Sequence, residues 1–291
     1  MAKQIGTTAP RMDLGIQLRE LRKTAGLTIE EASKSVSGLT YDKLRRVELG
    51  QSTFRMVGDL RKLLKAYGVE DNIGLVQALE ELYKTPASQD WTTRFSSVHT
   101  STRTLAGIES VARSVNIYFP NVIPGQLQTE EYARAHFTQV QPIEETTSEF
   151  INSNVALRMR RRELFLRDEE PGKLWAILGE SALRHPIGGA SVMRRQYNEI
   201  LRMAALPNVT VQVLLTDAPV KRLWSNFSIL DLGADRPTTV QVDSGLGGAV
   251  SMADRPAIVG RFTRWFNTMI ASAQPPEETP AFVETLKREK T

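Results

Sequence analysis

The chain has 291 residues, room for two domains, and its 41% hydrophobic and 24% charged residues argue against disorder. It has no cysteine, which excludes disulfides, thiolate metal sites and a thiol nucleophile, and no apolar run approaches the roughly 18 residues of a spanning helix. Of the net charge of +4, residues 1–70 carry 13 Lys and Arg against 8 Asp and Glu while the rest carries 24 against 25, so a basic N-terminal block precedes a neutral remainder.

From Asp13, apolar residues at Leu14, Leu18 and Leu21 make one helical face, and Gly26 supplies a stop. Thr28 with Glu31 has the spacing of a capping box, starting a second helix that runs to about Val36. Ser37 and Gly38 make a short turn. Thr40 then caps a third helix, with Leu39 and Leu44 placed as a hydrophobic staple. Its apolar positions Leu44 and Val47 leave Tyr41, Asp42, Lys43, Arg45 and Arg46 largely free of the core until Gly50 ends the helix. Val57, Leu60, Leu63, Leu64 and Tyr67 mark a fourth helix, and a fifth covers about Asp71 to Tyr83. Five short helices with a tight turn between the second and third predict a helix-turn-helix domain over residues 1–84.

The runs LRELRKTAGLT (Leu18 to Thr28) and LRRVELG (Leu44 to Gly50) resemble the Cro and CI type of helix-turn-helix regulator, the Xre family. The resemblance implies that Arg22, late in the first helix, pairs with Glu48 at the end of the third as scaffold. It also implies a DNA-binding set of Thr28, Thr40, Tyr41, Asp42, Lys43, Arg45, Arg46 and Gln51, with lysine and arginines on phosphate or guanine and the helix start nearest the base edges. The plain alternative for those charges is the solvated face of an amphipathic helix. Ile29 stands where the family often has a phosphate-bracing glutamine, and the spacing from Gly26 to Glu48 is one residue longer than is usual in it.

A composition break at Thr85, Pro86, Ala87 and Ser88 marks a linker, so residues 85–273 form the second domain and 274–291 a mobile tail. Leu105, Ile108, Val111, Ala112 and Val115 indicate a helix, closed by the loop Pro120 to Gly125. Thr129 can cap a helix through EEYARAHF, and Thr147 to Arg167 reads as one long surface-crossing helix. The pattern then changes to short β-branched runs: LWAIL from Leu174, VTVQVLL from Val209, FSILDL from Phe227 and TTVQV from Thr238. A helix from Ser191 to Ala205 separates the first two, and another covers Asp254 to Ala273 before a short helical stretch from Pro280 to Glu289. The predicted class is α+β overall: an all-α five-helix domain, then a mixed α/β domain with a small sheet flanked by helices.

The segments IPGQLQTEEYARA, RMRRRELF, GESALRHPIGG and LPNVTVQVLL are similar to the C-terminal domain of unassigned function that accompanies many such regulators, with Gln126 and Asp243 departing from its usual leucine and glutamate. The resemblance also implies that a small protein encoded nearby is a candidate partner. His99, His136 and His185 lack metal-ligand spacing, Ser181 is not in a nucleophile elbow, and Gly245, Gly247 and Gly248 lack phosphate-loop spacing. No metal, cofactor or catalytic constellation is expected. Gln128, Glu180 and Arg184 are the candidate ligand residues, Glu180 because it follows an apolar strand, although Glu180 and Arg184 at i, i+4 can equally pair with each other. Trp175, Trp224, Phe227 and Trp265 are candidate pocket linings or plain core. The start, MAKQIGTTAPRMDLG, has no signal-peptide stretch, so the expectation is a cytoplasmic, nucleoid-associated homodimer on double-stranded DNA, with no membrane partner and a small-molecule ligand as a further candidate. The competing expectation is a protein-interaction switch, antitoxin-like or bound by a small antagonist protein.

Overall fold

In the computed structural model, residues 9–50, 52–84, 91–144, 146–168, 171–220, 223–233, 238–243, 250–253 and 256–289 are described. The linker expected at 85–88, Gln51 and the glycines Gly245, Gly247 and Gly248 lie outside them. The chain divides into two compact units, Met1–Arg94 and Phe95–Thr291.

The first unit is all helical: α1 (Ala9–Thr24), α2 (Ile29–Lys34), α3 (Tyr41–Glu48), α4 (Val57–Ala66) and α5 (Ile73–Lys84). Thr28 caps α2 in a complete capping box with Glu31, and Thr40 caps α3 by accepting from the Lys43 amide. Gly26 and Gly50, both with positive φ, close α1 and α3. One core gathers Leu14 and Leu18 of α1, Ala32 of α2, Leu44 and Val47 of α3, Leu60, Leu63 and Leu64 of α4 and Leu79 of α5. Ile29 packs against it from the start of α2. At Gly15, α1 meets α3 backbone to backbone: an added Cβ would overlap the Val47 carbonyl oxygen and lie 2.8 Å from that of Glu48.

The second unit is built on a six-stranded sheet of order β3-β2-β1-β4-β5-β6. The strands are β1 (Ser114–Phe119), β2 (Lys173–Gly179), β3 (Val209–Leu214), β4 (Phe227–Asp231), β5 (Thr239–Asp243) and β6 (Val250–Ala253). β1, β2 and β3 are parallel, whereas β4 runs antiparallel to β1, β5 to β4 and β6 to β5. The parallel pairs are joined by helical crossovers, α7 (Glu130–Glu144) with α8 (Ser148–Arg162), then α9 (Glu180–Arg184) with α10 (Gly189–Ala204). α11 (Pro256–Ser272) covers one face, packing Phe262, Phe266 and Met269 onto Tyr118, Ile177, Phe227, Ile229 and Val240. α10 packs against β3 with buried Tyr197, Ile200 and Met203, which lie outside that cluster.

Three sequence expectations change. The helix anticipated through Val115 ends at Glu109 as α6 (Thr100–Glu109); Val111 is exposed, and Val115 lies in β1. Leu105, Ile108, Ala112 and Val115 imitate a helical stripe across two elements, whereas Val115, Ile117, Tyr118 and Phe119 are strand formers placed in the middle of the sheet. The helix expected from Thr147 to Arg167 stops at Arg162 and gives way to a 3₁₀ turn at Glu163–Leu166; α8 buries Ile151, Asn154, Val155 and Leu157 rather than crossing a surface.

The expected tail is part of the core. α12 (Thr279–Glu289) buries Val283 and Leu286, and the segment before it straps the outer side of edge strand β3. There the Gln274 amide donates to the Val213 carbonyl at 2.9 Å and the Thr279 hydroxyl to the Val211 carbonyl at 2.7 Å. These carbonyls point away from β2 and would otherwise present an unpaired sheet edge.

Candidate nucleic-acid interface

α3 has two faces because its apolar residues fall three apart. Leu44, Val47 and Glu48 are buried, while Tyr41, Asp42, Arg45 and Arg46 are exposed together on the other side. The Thr40 hydroxyl caps the helix start by accepting from the Lys43 amide, and Arg45 and Arg46 sit in the last turn. Arg46 lies back along the helix, its Nε 3.4 Å from the Asp42 carbonyl.

The structure distinguishes the other candidates. Lys43 is half-buried, with its Nζ donating to the Ser52 hydroxyl at 2.7 Å; burial, then the charge of Arg46, pushes its pKa below the ordinary lysine value. Thr28 is exposed, but its hydroxyl is engaged with Glu31, donating to the carboxylate at 2.7 Å and accepting from the amide at 3.2 Å. The Thr28 hydroxyl is thus committed to the capping box at the start of α2.

Behind this surface, Arg22 and Glu48 form a two-pronged pair, Nε to Oε1 at 2.6 Å and Nη2 to Oε2 at 2.9 Å, and Arg22 Nη1 also donates to the Leu27 carbonyl at 2.8 Å. The Glu48 hydrogen bond holds the Arg22 guanidinium above its ordinary pKa. Because Leu27 precedes the α2 cap, this one guanidinium fixes α1, the turn into α2 and the end of α3. A second pair that the sequence reading missed, Arg61 with the buried Glu80, ties α4 to α5. Only its tertiary partner distinguishes Glu80 from its exposed neighbour Glu81.

In the second unit, Glu180 and Arg184 do meet, with Arg184 Nε donating to Glu180 Oε1 at 2.6 Å. The other Glu180 oxygen accepts from the Thr216 amide and hydroxyl, both at 2.9 Å, and Arg184 also donates to Glu289 at 2.9 Å. The Arg184 hydrogen bond, then the Thr216 amide, holds the Glu180 carboxyl below the usual range. These residues join the ends of β2 and β3 to α12. Gln128 hydrogen-bonds elsewhere, its Nε2 donating to the Ile123 carbonyl at 2.7 Å. The aromatics divide between core and surface: Phe227, with Trp175 and Trp265 partly buried beside it, belongs to the α11 cluster, whereas Trp224 is exposed.

Among the described residues, no group of three His, Asp or Glu is placed to hold a metal ion, and no helix is long and apolar enough to cross a membrane. Residues 13–72 match the model of a helix-turn-helix domain, and residues 102–285 match that of a domain of unknown function, DUF5753. No curated protein and no solved structure matches the chain.

Proposed function

This chain belongs to the DUF5753 family, and from that premise we propose that it is a sequence-specific transcriptional regulator of the Cro and CI, or Xre, type. In this reading α3 enters the major groove of double-stranded DNA. The observation that carries the proposal is the two-sidedness of α3, whose buried face is locked by Arg22 and Glu48 while Tyr41, Asp42, Arg45 and Arg46 stand clear on the other side. A single short helix reads few bases, so the regulator acts as a homodimer on two half-sites, with the second unit supplying dimerisation and ligand sensing rather than catalysis.

The test is a gel shift and footprint on DNA flanking the protein's own gene, comparing the parent with Arg45→Ala over a range of salt. Salt-steep, sequence-selective binding by the parent that weakens in the variant supports the reading. A salt-independent response, or equal binding by the variant, overturns the role given to α3.

A further inference from the structure

The arginine-rich end of α8 is unevenly satisfied. Arg160 pairs with Glu163, Arg162 with Glu199 at 2.8 Å, and Arg161 grips buried Glu109 through Nε at 2.6 Å and Nη2 at 2.8 Å. Arg158, one turn earlier and half-buried, has no hydrogen bond or ion pair with any described residue. Its guanidinium carbon lies 4.2 Å from the centroid of the buried Phe137 ring, and its stem runs so close to Gly125 that a Cβ there would come within 3.1 Å of Arg158 Cγ. An arginine stays charged in proteins, so a half-buried guanidinium without a carboxylate partner is open to an anionic group from outside the chain.

The place matters as much as the charge. The parallel strands β1, β2 and β3 end at one edge of the sheet, and β5 runs in the same direction as β1 because both are antiparallel to β4. Tyr118, Phe227 and Val242 are in register, so Asp243 sits at the edge where β1 passes into the segment holding Gly125. At β1 the strand order reverses, with β2 and β3 to one side and β4 and β5 to the other. Open α/β sheets bind ligands outside the carboxyl ends of their strands at such a reversal.

The segment beside Arg158 carries further unmet polarity. Gln126 Nε2 donates to Glu109 at 2.6 Å and Gln128 Nε2 to Ile123, yet the Oε1 of each is buried without a donor among the described residues. The charge of Asp243 reaches Arg158 without forming an ion pair, and Asn226 lies 3.3 Å from its carboxylate. His136, on α7 near Arg158, is kept neutral by burial and the neighbouring positive charge, so it adds no second cation beside the guanidinium.

We propose that the second unit binds a small molecule through an anionic group, carboxylate or phosphate, docked on Arg158 at the carboxyl edge of the sheet, with the ligand's hydroxyl or amino groups turned to the Gln126 and Gln128 segment. This gives the sensing part of the proposed function a site. It is tested without DNA, so either reading can fail alone.

The test is the thermal unfolding of the full chain, titrated with sodium phosphate and, separately, sodium acetate, each against chloride at fixed ionic strength. A saturable rise of about 3–6 °C at ten times the dissociation constant is expected in the transition of the second unit with at least one of the two anions, and the more effective one identifies the group recognised. Arg158→Met, which keeps the stem against Gly125 and Phe137, abolishes the rise, and Arg160→Met retains it. If Arg158→Met does not fold, the Nε–Hε resonance of Arg158 in the parent decides, since it shifts on titration only if the anion docks there. No saturable rise with either anion, an equal rise in a folded Arg158→Met, or an unmoved resonance overturns the proposal.

Discussion

Arg22 and Glu48 face each other across the first unit through two hydrogen bonds, at 2.6 and 2.9 Å, with both side chains nearly sealed from water. Neither partner gains from isolation: a buried ion left alone costs far more than the pair contributes. Glu48→Ala or Arg22→Ala should therefore destabilise the first unit by about 3–5 kcal/mol in urea unfolding, while Arg22→Met combined with Glu48→Leu should lie within about 1 kcal/mol of the parent. Additive losses in the double variant would contradict this.

Gly15 tests the contact between α1 and α3. Alanine is the better helix former by about 1 kcal/mol, yet at Gly15 its Cβ would meet the Val47 and Glu48 carbonyls, which are backbone and cannot turn aside. Gly15→Ala should cost about 1–3 kcal/mol. Gly58 in α4 has nothing within 4 Å of the same atom, so Gly58→Ala should be neutral or stabilising by roughly 0.5 kcal/mol. Paired denaturation curves check the contrast, and a stabilised Gly15→Ala would refute the close approach.

On the exposed face of α3 the two neighbouring cations should not be equivalent. Arg45→Ala is expected to weaken operator binding by about 1–3 kcal/mol. Lys43→Ala should weaken it less, because Lys43 Nζ is already bonded to Ser52 and carries the cost of partial burial. If either residue meets a phosphate, its loss lowers the slope of log K against log salt by about 0.9. Gel-shift titrations at several salt concentrations give both quantities, and a larger effect at Lys43 would reverse the ranking.

His136 makes the stability of the second unit depend on pH. Burial, reinforced by the charges of Arg158 and His185, pushes its pKa from 6.5 down to about 4. Between these values the unfolded chain binds a proton that the folded chain does not, so stability is full above about pH 6.5 and falls as the pH drops towards 4. Between pH 7.5 and 5 the parent should lose about 1–2 kcal/mol more than His136→Gln. An imidazole resonance for His136 titrating near its ordinary value would contradict the assignment.

What could be read from the sequence was mostly local. The Thr28 and Glu31 capping box and the Thr40 cap follow from residues three apart, and β2 to β5 follow from short β-branched runs. The Arg22 and Glu48 pair came only through family resemblance, since residues twenty-six apart share no local pattern. What was missed depends on tertiary partners. β1 reads as helix because its apolar positions continue the stripe of α6, and α12, although legible as a helix from Pro280 to Glu289, reads as part of a loose tail because Pro and Glu dominate its approach while Val283 and Leu286 make the contact. Nor can a sequence tell the unpaired Arg158 from its carboxylate-bound neighbours, since Glu109 and Glu199 reach α8 from distant parts of the chain.

The strap over β3 also bears on how the second unit comes into being. Thr279 and Gln274 follow β3 in the chain by the whole of β4, β5, β6 and α11. During synthesis β3 therefore emerges with the Val211 and Val213 carbonyls open, and stays so until the strap is made. A chain interrupted after α11 would carry an adhesive border, prone to pairing with other nascent chains, beside a helix-turn-helix unit whose own core is already complete.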